Sequence, residues 1–172
     1  MCELGVIHGC KAFLPHLEAS GEGHIVNISS VSGILALPLM AGYSATKSAV
    51  RGYTESLRQG LDISSLCVSA TCAIPGGIKT NVAQNARQTE SVTEVLRVPP
   101  DAVTREFGKT FITTPEKAAK VIINAVKKNR RRVLVGRDAY VQDLMVRLML
   151  SFSQSIVVAI IRRRVKRQPA LS

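Results

Sequence analysis

Three short, nearly all-apolar runs separated by helical segments constrain this chain more than any other feature. Residues 24–29, 66–72 and 132–136 are rich in β-branched and small apolar side chains and are bounded by Gly, Ser or Pro, which marks them as strands. Strands joined through helices cannot pair as hairpins; they pair in parallel, through right-handed crossovers. Runs without polar alternation, such as Val133-Leu134-Val135, belong to a sheet covered by helices on both faces. The expected fold class is therefore α/β, a parallel sheet of about three strands flanked by helices.

The helices show their own period. Residues 3–19 carry Leu4, Ile7, Phe13, Leu14 and Leu17 near a 3.6-residue repeat and stop at Gly21, with Pro15 expected to kink or shorten the last turn. Residues 43–60 align Ala45, Ala49, Val50, Tyr53 and Leu57 in one stripe. Thr114-Pro115-Glu116 supplies an N-cap, a proline at the first helical position and an acid in the first turn, opening a third helix that stops at Lys127-Lys128-Asn129. Residues from about Asp138 onward are helical again. The polar stretch 79–113, with Pro99-Pro100 in its middle, reads as a long excursion of the kind that often serves as a lid.

At 172 residues and 46% hydrophobic, the chain suits one domain that needs neither disulfides nor a structural metal to hold a core. Cys2, Cys10, Cys67 and Cys72 form no CxxC pair, and His8, His16 and His24 are not grouped with them at metal-ligand spacing, so no metal site is expected. The cysteines read as buried free thiols of a reducing compartment. No basic n-region or cleavage site marks the N-terminus, and a cytoplasmic location is expected.

Chemistry concentrates at one rim. Tyr43-Ser44-Ala45-Thr46-Lys47 puts a phenol and an ammonium one helical turn apart on the same face, where the cation favours the phenolate. The pair Ser29-Ser30 sits where the first strand ends, thirteen residues before Tyr43 in the case of Ser30. Pro75-Gly76-Gly77-Ile78-Lys79-Thr80 leaves the second strand at the same edge, where glycines permit close backbone approach to a ligand. In open α/β sheets ligands bind outside the carboxyl ends of the strands.

Gly23-His24-Ile25-Val26-Asn27-Ile28-Ser29-Ser30-Val31-Ser32-Gly33, then Tyr43-x-x-x-Lys47, then Pro75-Gly76-x-Ile78-x-Thr80 resembles the second, catalytic half of the short-chain dehydrogenase/reductase family in order, spacing and strand-helix context. The resemblance implies an NAD(P)-dependent oxidoreductase that interconverts a secondary alcohol and a ketone. Tyr43 would be the general acid/base, Lys47 would assist it and bond the nicotinamide ribose, and Ser30 would polarise the substrate oxygen. Pro75, Gly76, Ile78 and Thr80 would hold the nicotinamide of NAD or NADP. The family also implies a small-molecule alcohol or carbonyl substrate and a homo-oligomer formed through the helices at 3–19 and 43–60.

The chain departs from the family in two ways. No glycine-rich phosphate-binding loop occurs in it, so the first βαβ half of a Rossmann-type sheet is expected to be missing and cofactor binding to be impaired. The position of the family's catalytic asparagine falls on Cys2. A truncated or partial chain is the expectation, with the strand at 24–29 left as an unpaired edge. The alternative is a non-catalytic interaction module that pairs through its helices.

The formal net charge of +11 is uneven: residues 130–172 hold 10 basic and 2 acidic side chains. The expected division is therefore a catalytic half at 1–137 and a basic amphipathic helical extension at 138–172. Asp143, Arg147, Ser151, Ser153, Gln154 and Ser155 interrupt the apolar stretch there and disfavour a membrane span. No aromatics interleave Arg130-Arg131-Arg132 or the run 162–167, so no nucleic-acid partner is expected. A helix offering its basic end to an anionic membrane surface, peripheral to the bilayer, is the remaining expectation beside a solvated tail.

Overall fold

A computed structural model describes residues 2–64, 67–82, 85, 108, 110–149 and 151–165. Among them the order is α1 (Cys2–Ala19), β1 (Gly23–Ile28), a 3-10 turn (Val31–Gly33), α2 (Ala41–Ile63), β2 (Val68–Pro75), α3 (Pro115–Lys127), β3 (Arg132–Val135), α4 (Arg137–Met149) and α5 (Phe152–Val165). The three strands form a parallel sheet in the order β1-β2-β3, as the alternation with helices requires. Among the described residues β1 lies at one end of the sheet, paired to β2, with Ile25 opposite Ala70 and Asn27 opposite Cys72.

Side chains that share a face are set by this register and the two-residue strand period. Ile25, Val68 and Ala70 pack with Leu14 and Leu17 of α1 and Leu57 and Leu61 of α2. Further along the same face, Cys72, Ile74 and Leu134 meet Val31, Ile34 and Ala139. Asn27, nearly buried there, is held by Thr54 Oγ1 at 3.1 Å and Cys10 Sγ at 3.3 Å, so its amide is satisfied inside the core. Arg58 bridges the elements: its guanidinium donates to Asp62, to the carbonyl of Ala70 and to Asn129 Oδ1, at 2.9, 3.1 and 2.8 Å.

Several boundaries differ from those expected of the sequence. β2 starts at Val68 and continues through Ala73, Ile74 and Pro75, because these pair with Val133, Leu134 and Val135; a proline at the strand's end gives up no ladder bond there. Cys67, expected in the strand as a buried thiol, lies before it and is exposed. α1 ends at Ala19 as expected and runs through Pro15 without the shortening expected there, its last turn closed by the Ser20 N–H on the His16 carbonyl at 3.1 Å. The C-terminal helical stretch is two helices rather than one. The lid segment expected at 79–113 falls largely outside the described residues, as do the side chain of Cys2 and the charges at 166–167.

Candidate active site

The carboxyl ends of β1 and β2 lie side by side, joined by the Ser29 N–H to Ala73 carbonyl bond of 2.8 Å. The chain then turns sharply. Ser30 caps the 3-10 turn with its Oγ, which accepts the Ser32 N–H at 3.1 Å. Because that bond uses an oxygen lone pair, the Ser30 hydroxyl proton stays available for another acceptor.

This turn is clamped onto α2 at Lys47. Ser29 Oγ donates to the Lys47 carbonyl at 2.7 Å, and Gly33 approaches so closely that a Cβ there would stand 2.7 Å from the same carbonyl oxygen. Ser48 Oγ and Arg51 Nε reach back to the Gly33 carbonyl at 3.3 and 3.0 Å. Only glycine fits this approach, so the turn bearing Ser30 and the helix bearing Tyr43 and Lys47 form one unit.

Within α2 the four-residue spacing brings Lys47 Nζ over the Tyr43 ring, 5.7 Å from its centroid. Lys47 Nζ also donates to the Ile28 carbonyl at 2.9 Å, which anchors the ammonium at the end of β1. Tyr43 is 42% exposed, whereas Ser29 and Ser30 are buried.

After Pro75 the backbone passes under α4. Gly77 N–H donates to Asp138 Oδ2 at 2.6 Å, and a Cβ on Gly76 would stand 2.0 Å from that oxygen. Gly136, at φ +101°, meets the other carboxylate oxygen in the same way, at 2.5 Å. A parallel bridge then ties Ile78 to Thr113 through Thr113 N–H to Gly77 O at 3.1 Å and Lys79 N–H to Thr113 O at 2.8 Å. These bonds use the atoms flanking Ile78, so the Ile78 N–H points to the opposite side. Thr80 lies on the exposed surface beyond, its Oγ1 accepting the Val82 N–H at 3.4 Å.

Ser30, Tyr43 and Lys47 thus sit on one clamped unit, with Pro75, Gly76 and Ile78 on the adjoining strand end. Sequence reasoning missed Arg51 and Asp138 and gave Gly33 no packing role. Gly33 carries a signal in the Ser-rich turn, but Asp138 stands 61 residues from the loop it holds, and nothing local points to it. A cleft of about 420 Å³ lined by Arg132, Asp143 and Arg147 over β3 contains none of the rim residues.

The donor set suits a nicotinamide group: an ammonium, two hydroxyls and an outward backbone N–H stand at the carboxyl edge of a parallel sheet. The short chain dehydrogenase family profile matches residues 3–91, slightly more than half the chain. SadH of Mycobacterium tuberculosis, named as an oxidoreductase, is 44% identical over 160 residues, covering 90% of this chain and 54% of its own length. Among solved structures, a short chain dehydrogenase/reductase from Burkholderia phymatum in complex with NAD superposes with TM-score 0.64 at 23% identity, over 98% of this chain and 58% of its own. One from Burkholderia cenocepacia in complex with NADP gives TM-score 0.63 at 22% identity, over 96% and 56%. The chain spans a little over half the length of these relatives, and it belongs to the short-chain dehydrogenase family.

Proposed function

We propose that this chain carries the catalytic half of an NAD- or NADP-dependent oxidoreductase that interconverts a secondary alcohol and a ketone. One observation carries the reading: Lys47 Nζ lies over the Tyr43 ring while the Lys47 carbonyl grips the turn that presents Ser30. A nicotinamide cofactor supplies or receives the hydride. In the reducing direction Tyr43 gives its hydroxyl proton to the substrate oxygen, and in the oxidising direction it takes that proton back. Lys47 stabilises the phenolate as it forms and offers its ammonium to the ribose hydroxyls. Ser30 donates its free hydroxyl proton to the same substrate oxygen, which polarises the carbonyl. The Ile78 N–H and the Thr80 hydroxyl suit a carboxamide, and Pro75 and Gly76 set the loop that aims them. Pairing of two copies through α1 and α2 belongs to this reading, supported by Leu4 and Phe13 standing exposed on α1.

Because the residues present would hold the nicotinamide half of the cofactor, reduced nicotinamide mononucleotide is the appropriate probe. Amide and side-chain NMR shifts on titration should move at Tyr43, Lys47, Ile78 and Thr80, and ketone-dependent oxidation of the probe should vanish in Tyr43→Phe. Shifts confined to other faces, or oxidation that survives the substitution, would rule the assignment out. The 172-residue chain should bind NADH and NADPH only weakly, for want of a glycine-rich loop; micromolar binding by calorimetry would contradict that.

A further inference from the structure

α4 is built inside out. Its inward face presents Ala139, fully buried, and Asp143, 8% exposed, whose carboxylate accepts Arg147 Nε at 2.6 Å and faces Arg132 at 3.9 Å. Its outward face carries Val141, Leu144 and Leu148 at i, i+3 and i+7, with Leu148 74% exposed, and Phe152 at the start of α5 is 75% exposed. Such a contiguous apolar face, rather than scattered exposed residues, marks an interaction surface. α5 follows with Ile156 to Ile161, of which Val158 and Ile160 are exposed, and ends in the exposed Arg162 and Arg163. α5 packs chiefly on α4.

We propose that the outward face of α4 and the apolar turns of α5 dock on the surface of an anionic lipid bilayer. The charge selects this occupant. Among the described residues of α4 and α5, Arg137, Arg147, Arg162 and Arg163 are exposed, while the two acids, Asp138 and Asp143, are turned inward, so a contact between two copies over this face would bring basic surfaces together. An anionic bilayer receives the same charge favourably, and its hydrocarbon boundary takes up the apolar residues while arginines at the flanks reach the headgroups. The helices lie on the membrane rather than cross it: α5, at 14 residues, is about 21 Å long against about 30 Å of hydrocarbon. No helix among the described residues is long and apolar enough to span. α4 packs on β3 and on the 3-10 turn with its inward face, and the docking face is the opposite side of that helix.

Co-sedimentation of the 172-residue chain with phosphatidylcholine vesicles, with and without phosphatidylserine, tests the proposal. The chain should pellet with the phosphatidylserine vesicles, and pelleting should fall about tenfold at high salt or in Arg162→Ala/Arg163→Ala. Leu144→Asn/Leu148→Asn/Phe152→Asn replaces exposed side chains, so circular dichroism should be unchanged while vesicle binding is lost. Equal binding to neutral vesicles, or wild-type binding by the triple variant, would overturn the proposal. So would a concentration-dependent dimer, seen by sedimentation without lipid, that the triple variant abolishes, because the face would then be covered by a second copy.

Discussion

Replacing Gly76 by alanine tests whether Asp138 holds the loop that aims Ile78 and Thr80. A Cβ on Gly76 would stand 2.0 Å from Asp138 Oδ2 and 2.4 Å from its Cγ, well inside contact distance, while Oδ2 is itself committed to the Gly77 N–H at 2.6 Å. The carboxylate cannot retreat without giving up that bond. A charge-assisted hydrogen bond to a partly buried amide contributes about 1.5–3 kcal/mol, and an overpacked contact costs about 1–3 kcal/mol. Gly76→Ala alone should therefore destabilise by about 2–3 kcal/mol, and Asp138→Ala alone by about 2 kcal/mol, mainly through the orphaned Gly77 N–H. Together they should cost less than their sum, since removing the carboxylate opens the space that the methyl needs. The expected coupling in a double-mutant cycle is about 1–2 kcal/mol in favour of the double variant. Urea denaturation followed by circular dichroism measures all four corners, and the Gly77 amide shift reports the bond directly. Additive losses, or a Gly77 amide indifferent to Asp138→Ala, would refute the reasoning.

Arg58→Ala should destabilise by about 3 kcal/mol, because it strips hydrogen bonds from Asp62, the Ala70 carbonyl and Asn129, the last of these in the left-handed region at φ +48°; a urea midpoint equal to wild type would contradict this. Burial first, and the Arg58 charge second, hold the His24 pKa below the ordinary value of 6.5. Protons then bind the unfolded chain in preference as pH falls below 6.5, so stability should decline across that window down to the folded-state pKa and flatten below it. His24→Gln should remove this slope, and a slope that persists in the variant would assign it elsewhere. Thr71 Oγ1 already donates to the Arg130 carbonyl, so His24 Nε2 must be the donor in the 2.7 Å contact with Thr71, and a glutamine amide can replace it. Burial pushes the Cys72 thiol up to about 11, whereas Cys67 is exposed. Iodoacetamide at neutral pH should label Cys67 and spare Cys72 in the native chain, as read by peptide mass spectrometry, and comparable labelling of both would show the core to be open.

Features set by local periodicity are legible in the amino-acid sequence. Tyr43 and Lys47 face each other because four residues make about one helical turn, whatever surrounds the helix. The parallel order of the strands follows from their separation by helices. The Pro75-Gly76-Gly77 stop is equally plain in the sequence, but ligand approach alone does not account for its glycines. Gly76 is also glycine because a carboxylate on α4 occupies the space beside it. The limits of β2 escape local patterns for a related reason: pairing with β3, rather than local composition, carries the strand to Pro75 and leaves Cys67 outside.

By itself the amino-acid sequence determined the fold class, the alternation of strands and helices and the residues proposed for the rim, because helical and strand periods and turn chemistry act over a few neighbouring positions. Only the tertiary structure decided which surfaces meet: that the turn bearing Ser30 is locked to Lys47 through Gly33, that Asp138 holds a loop 61 residues away, and that α4 turns its aspartate inward and its leucines outward. Each of these depends on close approach between segments distant in the chain, which no local pattern of residues encodes.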